Sequence, residues 1–300
     1  MMKNLAKQVV YSLLFNNALK DRAMTFGYVF HTEEIFDKSV FDKLLYFCRE
    51  YQKLTNAKPI CALMTPMNPR VREWMRIHNV SMDEFSGRVR LLSEHAVIGY
   101  HGHFWFRPDE FKNGAAEIRC GNFLRSTVEA QVREEVQWFE AMNIHHNHVY
   151  APGWWVMNAE LLAILRMNGF AVDLSFSKSL WFYNTYSHMI MKRHRIRTGE
   201  PFLLKTRYGD VTCIQNFIGC HGTAFPKDFD RNLSYLLDPD YREVIGVVNA
   251  HDYDLRRDGF IENTLNCLSH LQKRYKANIV SYDNLVAQAR RLAVKTLPSV

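Results

Sequence analysis

The sequence has no long apolar run, few glycines and prolines, and only widely spread cysteines. Its longest nearly apolar run covers residues 9–15, whereas a membrane-spanning helix requires roughly 18 to 20 residues. With 14 glycines and 9 prolines in 300 residues, the chain is neither collagen-like nor of low complexity. The six cysteines form no C-x-x-C pair, which favours free thiols in a reducing compartment. We therefore expect a globular, cytoplasmic protein without a transmembrane segment.

Several ligand-binding motifs are also missing. The chain contains no G-x-x-x-x-G-K, G-x-G-x-x-G or G-x-S-x-G sequence, so phosphate-loop, dinucleotide and elbow-serine chemistries lack support. The 38 basic and 31 acidic side chains give a net charge of +7, but the basic residues are scattered and no aromatic-basic stripe accompanies them. We therefore do not expect nucleic acid as a partner, and the charge is a weak indication of an anionic ligand.

Short apolar runs alternate with helical patterns along most of the chain. Strands are predicted at residues 24–30, 60–64, 97–100, 148–151, 171–175, 211–217, 244–250 and 279–281. Helices are predicted at residues 39–56, 69–78, 126–142, 158–168, 261–275 and 281–293. This alternation favours right-handed crossovers and a mainly parallel sheet. Seven or so such units predict an α/β fold, a (β/α) barrel with its active-site mouth at the C-terminal strand ends.

No internal repeat, linker or low-complexity tract divides the chain, so we expect one domain over residues 1–300, with an amphipathic helix at 3–20. Four of the 13 histidines fall where a predicted strand ends, and chemistry collects at that end of a parallel barrel. They are His31, His101, His103 and His251. The histidine-rich segment 145–148 precedes a strand instead, so we expect it to lie exposed at the opposite end.

The first strand end carries a histidine followed by an acidic pair, His31, Glu33 and Glu34. Carboxylate and neutral imidazole both bind divalent metals, and histidine also titrates near neutrality. The segment can therefore supply a metal ligand and a proton acceptor. The alternative is a helix N-terminus, in which Thr32 is the cap and the two acids interact favourably with the helix dipole.

The third predicted strand leads into an H-x-H sequence formed by His101 and His103. In an extended segment, residues two apart share a face, so both imidazoles can reach one ion. The alternative is a hydrogen-bonded histidine pair in an aromatic wall that includes Trp105.

Two further strand ends carry residues that can bind or react with a ligand. A Pro-Gly turn is followed by Trp154 and Trp155, whose rings suit stacking on a sugar or another flat apolar surface, although core packing is the commoner role of tryptophan. His251 is flanked by Asp252 and Asp254, an arrangement in which a carboxylate orients a general acid. A capped turn is the alternative for this last segment.

Taken in order, these segments resemble the motifs of the polysaccharide deacetylase family, which includes chitin, peptidoglycan and chitooligosaccharide deacetylases. The family's acidic pair is matched by Glu33-Glu34, or by residues 31–34 in the branch with Asp-Val-Glu-Asp. Its Ile-Gly-x-His segment is matched by residues 98–101, and its Ala-Pro-Gly-Trp turn by residues 151–154. The later strand that ends in histidine is matched by residues 248–251.

The resemblance covers about residues 24–293 and implies a distorted (β/α) barrel that hydrolyses N-acetyl groups on sugars with a metal-bound water. Two side chains depart from the family pattern. Trp105 stands where the second ligand histidine belongs, and Tyr150 stands where an arginine belongs. The chain is therefore similar to a divergent member of the family.

The resemblance also implies a divalent metal, with zinc the expected ion. Glu33 and His101 would hold it, and His103 would replace the missing ligand histidine. Either His31-Glu33 or Glu33-Glu34 is the functional acidic pair, because a one-residue shift of the strand changes which side chains face the mouth.

The same resemblance implies roles in proton transfer and in substrate binding. Glu34, or else His31, would take the proton of the water, and His251 would protonate the leaving amine. The expected substrate contacts are Trp105, Tyr150, Trp154, Trp155 and Asp252.

We thus expect a metal-dependent hydrolase that removes an acetyl or formyl group from the nitrogen of a sugar or oligosaccharide. Surface polysaccharide or lipopolysaccharide O-antigen biosynthesis is the expected setting. The alternative is a deacetylase-like barrel that binds a glycan or a partner protein without turnover. Trp105 and Tyr150 motivate this alternative, because each puts an aromatic side chain where the family has a catalytic one.

Overall fold

The structure, a computed structural model, describes residues 22–108, 111, 116–177, 185–219 and 241–298. In chain order its strands are β1 Ala23–Thr32, β2 Ile60–Leu63, β3 Val97–Gly102, β4 Phe104–Trp105, β5 Glu117–Ile118, β6 Val149–Pro152, β7 Val172–Asp173, β8 Phe202–Thr206, β9 Gly209–Cys213, β10 Gln215–Gly219, β11 Glu243–His251, β12 Asn278–Ile279 and β13 Thr296–Pro298. Its helices are α1 Lys38–Thr55, α2 Pro69–Ile77, α3 Met82–Ser93, α4 Arg125–Ala141, α5 Ala159–Met167, α6 Thr185–Arg193, α7 Phe260–Tyr275 and α8 Tyr282–Leu292.

The large sheet is parallel along the order β10-β11-β1-β2-β3-β6-β7-β9. Only Ile214 separates β9 from β10, so the two ends of this order belong to one stretch of chain. The N–H groups of Ile214 and Asn216 donate to the carbonyls of Asp173 and Phe176, which continues the contact with β7 while β10 pairs with β11. The sheet therefore curls around as a distorted (β/α) barrel, and the predicted fold class is confirmed.

Hydrophobic clusters cover both surfaces of the curled sheet. On the outside, alternate residues of β1, such as Tyr28 and Phe30, pack with Leu44 and Phe47 of α1. A separate cluster contains the intervening Val29 and includes residues of β2, β6, β7, β11 and α8. Because side chains alternate along a strand, His31 lies on the same face of the sheet as Val29.

Helix α1 illustrates how local sequence sets the element boundaries. The carboxylate of Asp37 accepts the N–H groups of Ser39 and Val40, which are unpaired donors at a helix start. At the other end Asn56 adopts the left-handed conformation with φ of 56°, and its N–H bonds to the carbonyl of Gln52. The helix thereby begins directly after the acidic segment that follows β1.

Several elements differ from the sequence prediction. The predicted strand 211–217 is two strands, β9 and β10, because the chain changes its pairing partner at Ile214. Helices α3 and α6 and the short strands β4, β5, β8 and β13 were not predicted. The predicted N-terminal helix 3–20 lies outside the described residues. Among the described helices, none is long and apolar enough to cross a bilayer.

The histidine-rich segment 145–148 lies ahead of β6, as its position in the sequence predicts. His145 and His148 are exposed, but the expected exposure is wrong for His146. Its ring is buried between Phe139 and Phe170, with ring centroids 4.8 and 5.5 Å away. Aromatic packing at the start of the strand accounts for this burial.

Candidate metal centre

Glu33 follows directly after β1 and stands at the centre of a histidine cluster. Its Oε1 atom lies 3.4 Å from His101 Nε2, 3.7 Å from His103 Nε2 and 3.8 Å from His251 Nε2. Asp252 holds this segment in place, because its Oδ2 atom accepts the backbone N–H of Glu33 at 3.0 Å. One carboxylate oxygen thus faces three imidazole nitrogens from two other strand ends.

The orientation of two of these rings is fixed from behind. The Nδ1 atom of His101 lies 3.1 Å from the carbonyl oxygen of Ala151, and the Nδ1 atom of His103 contacts the carboxylate of Glu117. Because a carbonyl and a carboxylate only accept, each Nδ1 carries a hydrogen, so each ring in its neutral form presents a lone pair at Nε2. The two Nε2 atoms are 3.1 Å apart. Two lone pairs at this distance repel each other unless a proton or a cation lies between them.

These three side chains fit a divalent metal. A tetrahedral ion with bonds of about 2.0–2.1 Å places its ligand atoms about 3.3 Å apart. The three separations among Glu33, His101 and His103 are 3.1, 3.4 and 3.7 Å. Among the described residues, they form the group of metal-binding side chains whose ligand atoms all lie within 4.8 Å of one another. Two histidines and one glutamate are also a known ligand set of catalytic zinc.

Burial and hydrogen bonding compete in setting the protonation of these groups. Burial alone would raise the pKa of Glu33, but hydrogen bonds from His101 and His103 hold it well below its usual value. Burial lowers the pKa of His101. For His103, hydrogen bonds to Glu117 and Glu33 overcome burial and raise the pKa to about 9. Glu33 is thus ionised and presents a negative charge to the imidazole nitrogens.

His31 lies beside the three side chains without belonging to them. Its ring centroid is 4.5 Å from that of His101 and 4.9 Å from that of His251. Burial, together with the two neighbouring histidines, holds the pKa of His31 well below its usual value, so the ring is neutral. Its Nε2 atom is buried and has no hydrogen-bond partner among the described residues.

His251 ends β11 and borders the cluster on the opposite side. Its ring stacks on Tyr253 at 4.6 Å, and its Nδ1 atom lies 4.0 Å from Oδ2 of the buried Asp254. Asp254 also accepts the backbone N–H of His251. The carboxylate that faces this imidazole is therefore held by the turn itself, and Nε2 faces Glu33.

Glu34 points elsewhere. Its carboxylate is 2.8 Å from the guanidinium of Arg256, and its backbone N–H donates to Asp252. Burial raises the pKa of Glu34 despite the nearby arginine. Of the two acidic pairs left open by the sequence, the structure brings His31 and Glu33 to the cluster and turns the side chain of Glu34 toward Arg256.

The predicted substrate contacts differ in their accessibility. The side chains of Tyr150 and Asp252 are fully buried and Trp105 is almost so, which leaves no surface of Tyr150 or Asp252 for a sugar to touch. Tyr150 packs against Tyr100, because it faces the outside of the sheet and not the mouth. Asp252 is occupied with the backbone N–H groups after β1. Tyr150 and Asp252 therefore have structural roles and do not contact a substrate.

Trp154 and Trp155 lie at the rim of the mouth. Trp154 is 44% exposed, with the guanidinium of Arg119 4.2 Å above its ring, and the ring of Trp155 is 6.0 Å from that of His31. Both tryptophans have a positive φ, 47° and 57°, a conformation that non-glycine residues rarely adopt. Such strain is concentrated at functional sites.

Sequence reasoning missed three residues of the site. Arg70 of α2 places Nη1 3.3 Å from Glu33 Oε2. Asn68, which caps α2, donates to the carbonyl of His103 and accepts from the indole of Trp105. Glu117 comes from the β4–β5 hairpin. The N-cap residue Asn68 followed by a proline carries a helix-start signal, but nothing in the sequence places these loops against the strand ends.

Comparison with known proteins places the fold. No protein-family model and no curated protein matches the chain. The structure is similar to that of a putative polysaccharide deacetylase from Mycobacterium smegmatis, with a TM-score of 0.54 and 10% identity over 90% of this chain and 91% of that one. The chain has a polysaccharide deacetylase fold. The resemblance seen in the motifs is confirmed at this level.

A second similar structure is that of a 4-alpha-glucanotransferase from Thermococcus litoralis, with a TM-score of 0.59 and 11% identity. The match covers 93% of this chain but only 42% of the glucanotransferase, so the chain spans less than half the length of that protein. In this chain His103 stands beside His101, with their Nε2 atoms 3.1 Å apart.

Proposed function

We propose that the protein is a metal-dependent carbohydrate N-deacylase that hydrolyses an acetyl or formyl group from the nitrogen of a sugar. The observation that carries the proposal is the meeting of Glu33, His101 and His103 at separations of 3.1 to 3.7 Å, with the far nitrogen of each ring held by an acceptor. These three side chains would hold the ion, for which zinc is the expected identity. When bound, a divalent ion lowers the pKa of water and polarises an acyl carbonyl.

The remaining residues supply proton transfer. Hydrolysis adds the oxygen of water to the acyl carbon, breaks the C–N bond and delivers a proton to the amine. The buried Nε2 atom of His31 has no partner among the described residues and the ring lies beside His101, so we assign His31 the proton from water. His251, which faces Asp254, donates a proton to the departing nitrogen. Glu34 was the other predicted base, and its ion pair with Arg256 favours His31 in that role.

The sugar would bind at the rim formed by Trp154 and Trp155. Pyranose rings stack on exposed indole faces, and Trp154 keeps 44% of its surface exposed. Arg70 and Arg119 add positive charge beside the mouth, which suits an acidic or otherwise anionic glycan. Surface polysaccharide or O-antigen biosynthesis in the cytoplasm remains the predicted setting.

The second candidate function is glycan binding without turnover. Tyr150 motivates it, because the fully buried tyrosine offers no cation where the family pattern has arginine. Arg70 contacts Glu33 from another direction, which provides a cation at the site by a different route. This contact is why we place hydrolysis first.

The experiment combines metal analysis with product release. The purified protein is expected to hold about one divalent ion per chain and to release acetate or formate from N-acetyl or N-formyl sugars. His101→Ala should lose both, because it removes one of three ligands. His145→Ala, an exposed histidine at the opposite end of the barrel, should lose neither. A wild-type protein that binds sugars but neither binds metal nor releases acid contradicts the proposal and supports glycan binding.

A further inference from the structure

The β4–β5 hairpin carries an acidic side chain into the candidate metal centre. Trp105 pairs with Glu117 across this antiparallel hairpin, and the Glu117 carboxylate contacts Nδ1 of His103. The Glu117 side chain is only 12% exposed, so a charged group has been brought out of water to make this contact. Burying a carboxylate is costly unless it is paired. The contact with His103 therefore offsets the cost of burying the Glu117 carboxylate.

His103 depends on this contact more than His101 does. His101 lies within β3, and its Nδ1 bonds to a main-chain carbonyl, that of Ala151. His103 lies between β3 and β4, and the partner of its Nδ1 is a side chain. A free imidazole can carry its hydrogen on either nitrogen and can rotate about its side-chain bonds. Glu117 removes both freedoms.

We infer that Glu117 is the positioning residue that makes His103 a metal ligand. The inference rests on the proposed metal centre. A carboxylate behind a ligating imidazole fixes its tautomer and raises its basicity, and such partners typically contribute 10- to 100-fold in metal affinity. The second histidine of the H-x-H sequence is thereby oriented by Glu117, which lies 14 positions further along the chain.

The hairpin is anchored independently of Glu117. The neighbouring Ile118 is fully buried in the cluster that contains Val128 and Val132 of α4. The Sγ atom of Cys120 lies 3.7 Å from the carbonyl oxygen of Met157, which ties the same segment to the loop after β6. Removing one carboxylate should therefore leave the hairpin in place.

The test measures metal affinity directly. The dissociation constant for Zn²⁺ is determined by competition with a chelator for the wild type, Glu117→Ala and Glu117→Gln, and Co²⁺ absorption spectra report the ligand set. Glu117→Ala should weaken Zn²⁺ binding by about 10- to 100-fold and change the Co²⁺ spectrum. Glu117→Gln keeps a neutral acceptor, so its loss should be smaller. Glu129→Ala, which removes a carboxylate of α4 that pairs with Arg125 and Arg133, should match the wild type.

The outcomes separate this inference from the proposed function. If the wild type binds Zn²⁺ and both Glu117 variants bind it equally well, the inference is wrong and the metal centre stands. If the wild type itself binds no metal, both are wrong. If Glu117→Ala has a changed far-ultraviolet circular dichroism spectrum, Glu117→Gln decides the outcome. Unchanged Zn²⁺ affinity and an unchanged Co²⁺ spectrum in Glu117→Gln overturn the inference. A weakened Zn²⁺ affinity in Glu117→Gln supports it.

Discussion

At the scale of single residues, the site requires a residue without a Cβ atom at position 153. A Cβ atom added at Gly153 would lie 2.3 Å from Cδ2 of His103 and 2.5 Å from its Nε2. Distances this short cannot be accommodated, so the histidine ring requires glycine at this position of the Pro-Gly turn. The turn that carries the two tryptophans is thus also one wall of the candidate metal centre.

Gly153→Ala should displace the His103 ring and weaken Zn²⁺ binding by about tenfold or more, as loss of ligand positioning does. Chelator competition measures this change. Gly87→Ala is the matched control, because a Cβ atom there meets nothing within 4 Å. In the helix α3 that second substitution should raise stability by roughly 0.5–1 kcal/mol and leave metal binding unchanged. Equal metal affinity in the two variants would contradict the crowding argument.

Glu135 of α4 is a buried acid outside the site, and its carboxylate accepts a hydrogen bond from the Thr65 hydroxyl. Burial raises the pKa of Glu135 from its ordinary value of 4.5 to about 8 in the folded protein. The folded state therefore binds this proton more tightly than the unfolded state. This contribution makes the free energy of unfolding fall as pH rises from about 4.5 to 8, by at most about 1.4 kcal/mol per pH unit.

Glu135→Gln should remove this contribution, so that stability declines less between pH 5 and pH 8 than in the wild type. Urea denaturation at a series of pH values measures the slope. Glu140→Gln, an exposed glutamate of the same helix, should keep the wild-type slope. Parallel pH profiles for the wild type and Glu135→Gln would show that Glu135 does not titrate in this range.

At the scale of elements, helix α3 carried a start signal that the sequence analysis did not use. Ser81 precedes Met82, and Asp83 and Glu84 follow in the first turn. The Ser81 hydroxyl accepts the N–H of Glu84 at 3.1 Å, as an N-cap does. Ser81→Ala should cost about 1 kcal/mol of unfolding free energy in denaturant titrations, whereas Ser81→Asp should keep the stability. A loss of the same size in both variants would refute the capping role.

Most strands of the parallel sheet and most helices were predicted from the sequence, short strands such as β2 and β6 included. Strands β1 and β11 and helices α1, α4 and α7 agree with their predicted positions to within two residues at each end. Strands β4 and β5 have two residues each, which is too short for any periodicity to be read. The pairing that brings Glu117 to His103 could therefore not be predicted, because it is created by tertiary contacts alone.

At the scale of the whole molecule, the order of the strands determines which strand ends meet. The rule that chemistry collects at the C-terminal ends of parallel strands selected His31, His101, His103 and His251 from 13 histidines, and the structure brings these four together. The rule could not predict which way Glu34 and Tyr150 point, because that depends on the twist of each strand and on the packing of its neighbours. The rule also could not predict the contact of Arg70 with Glu33, because Arg70 belongs to a helix and not to a strand end.

The pairing of the first described strand with β11 has a consequence during synthesis. Asp252 holds the segment of Glu33 although the two residues are 219 positions apart, and β1 lies directly beside β11. A chain still on the ribosome cannot place His251 opposite Glu33 until β11 has emerged and inserted beside β1. During most of translation the edge of β1 that pairs with β11 therefore lacks this partner, and a chaperone or a neighbouring strand can bind there.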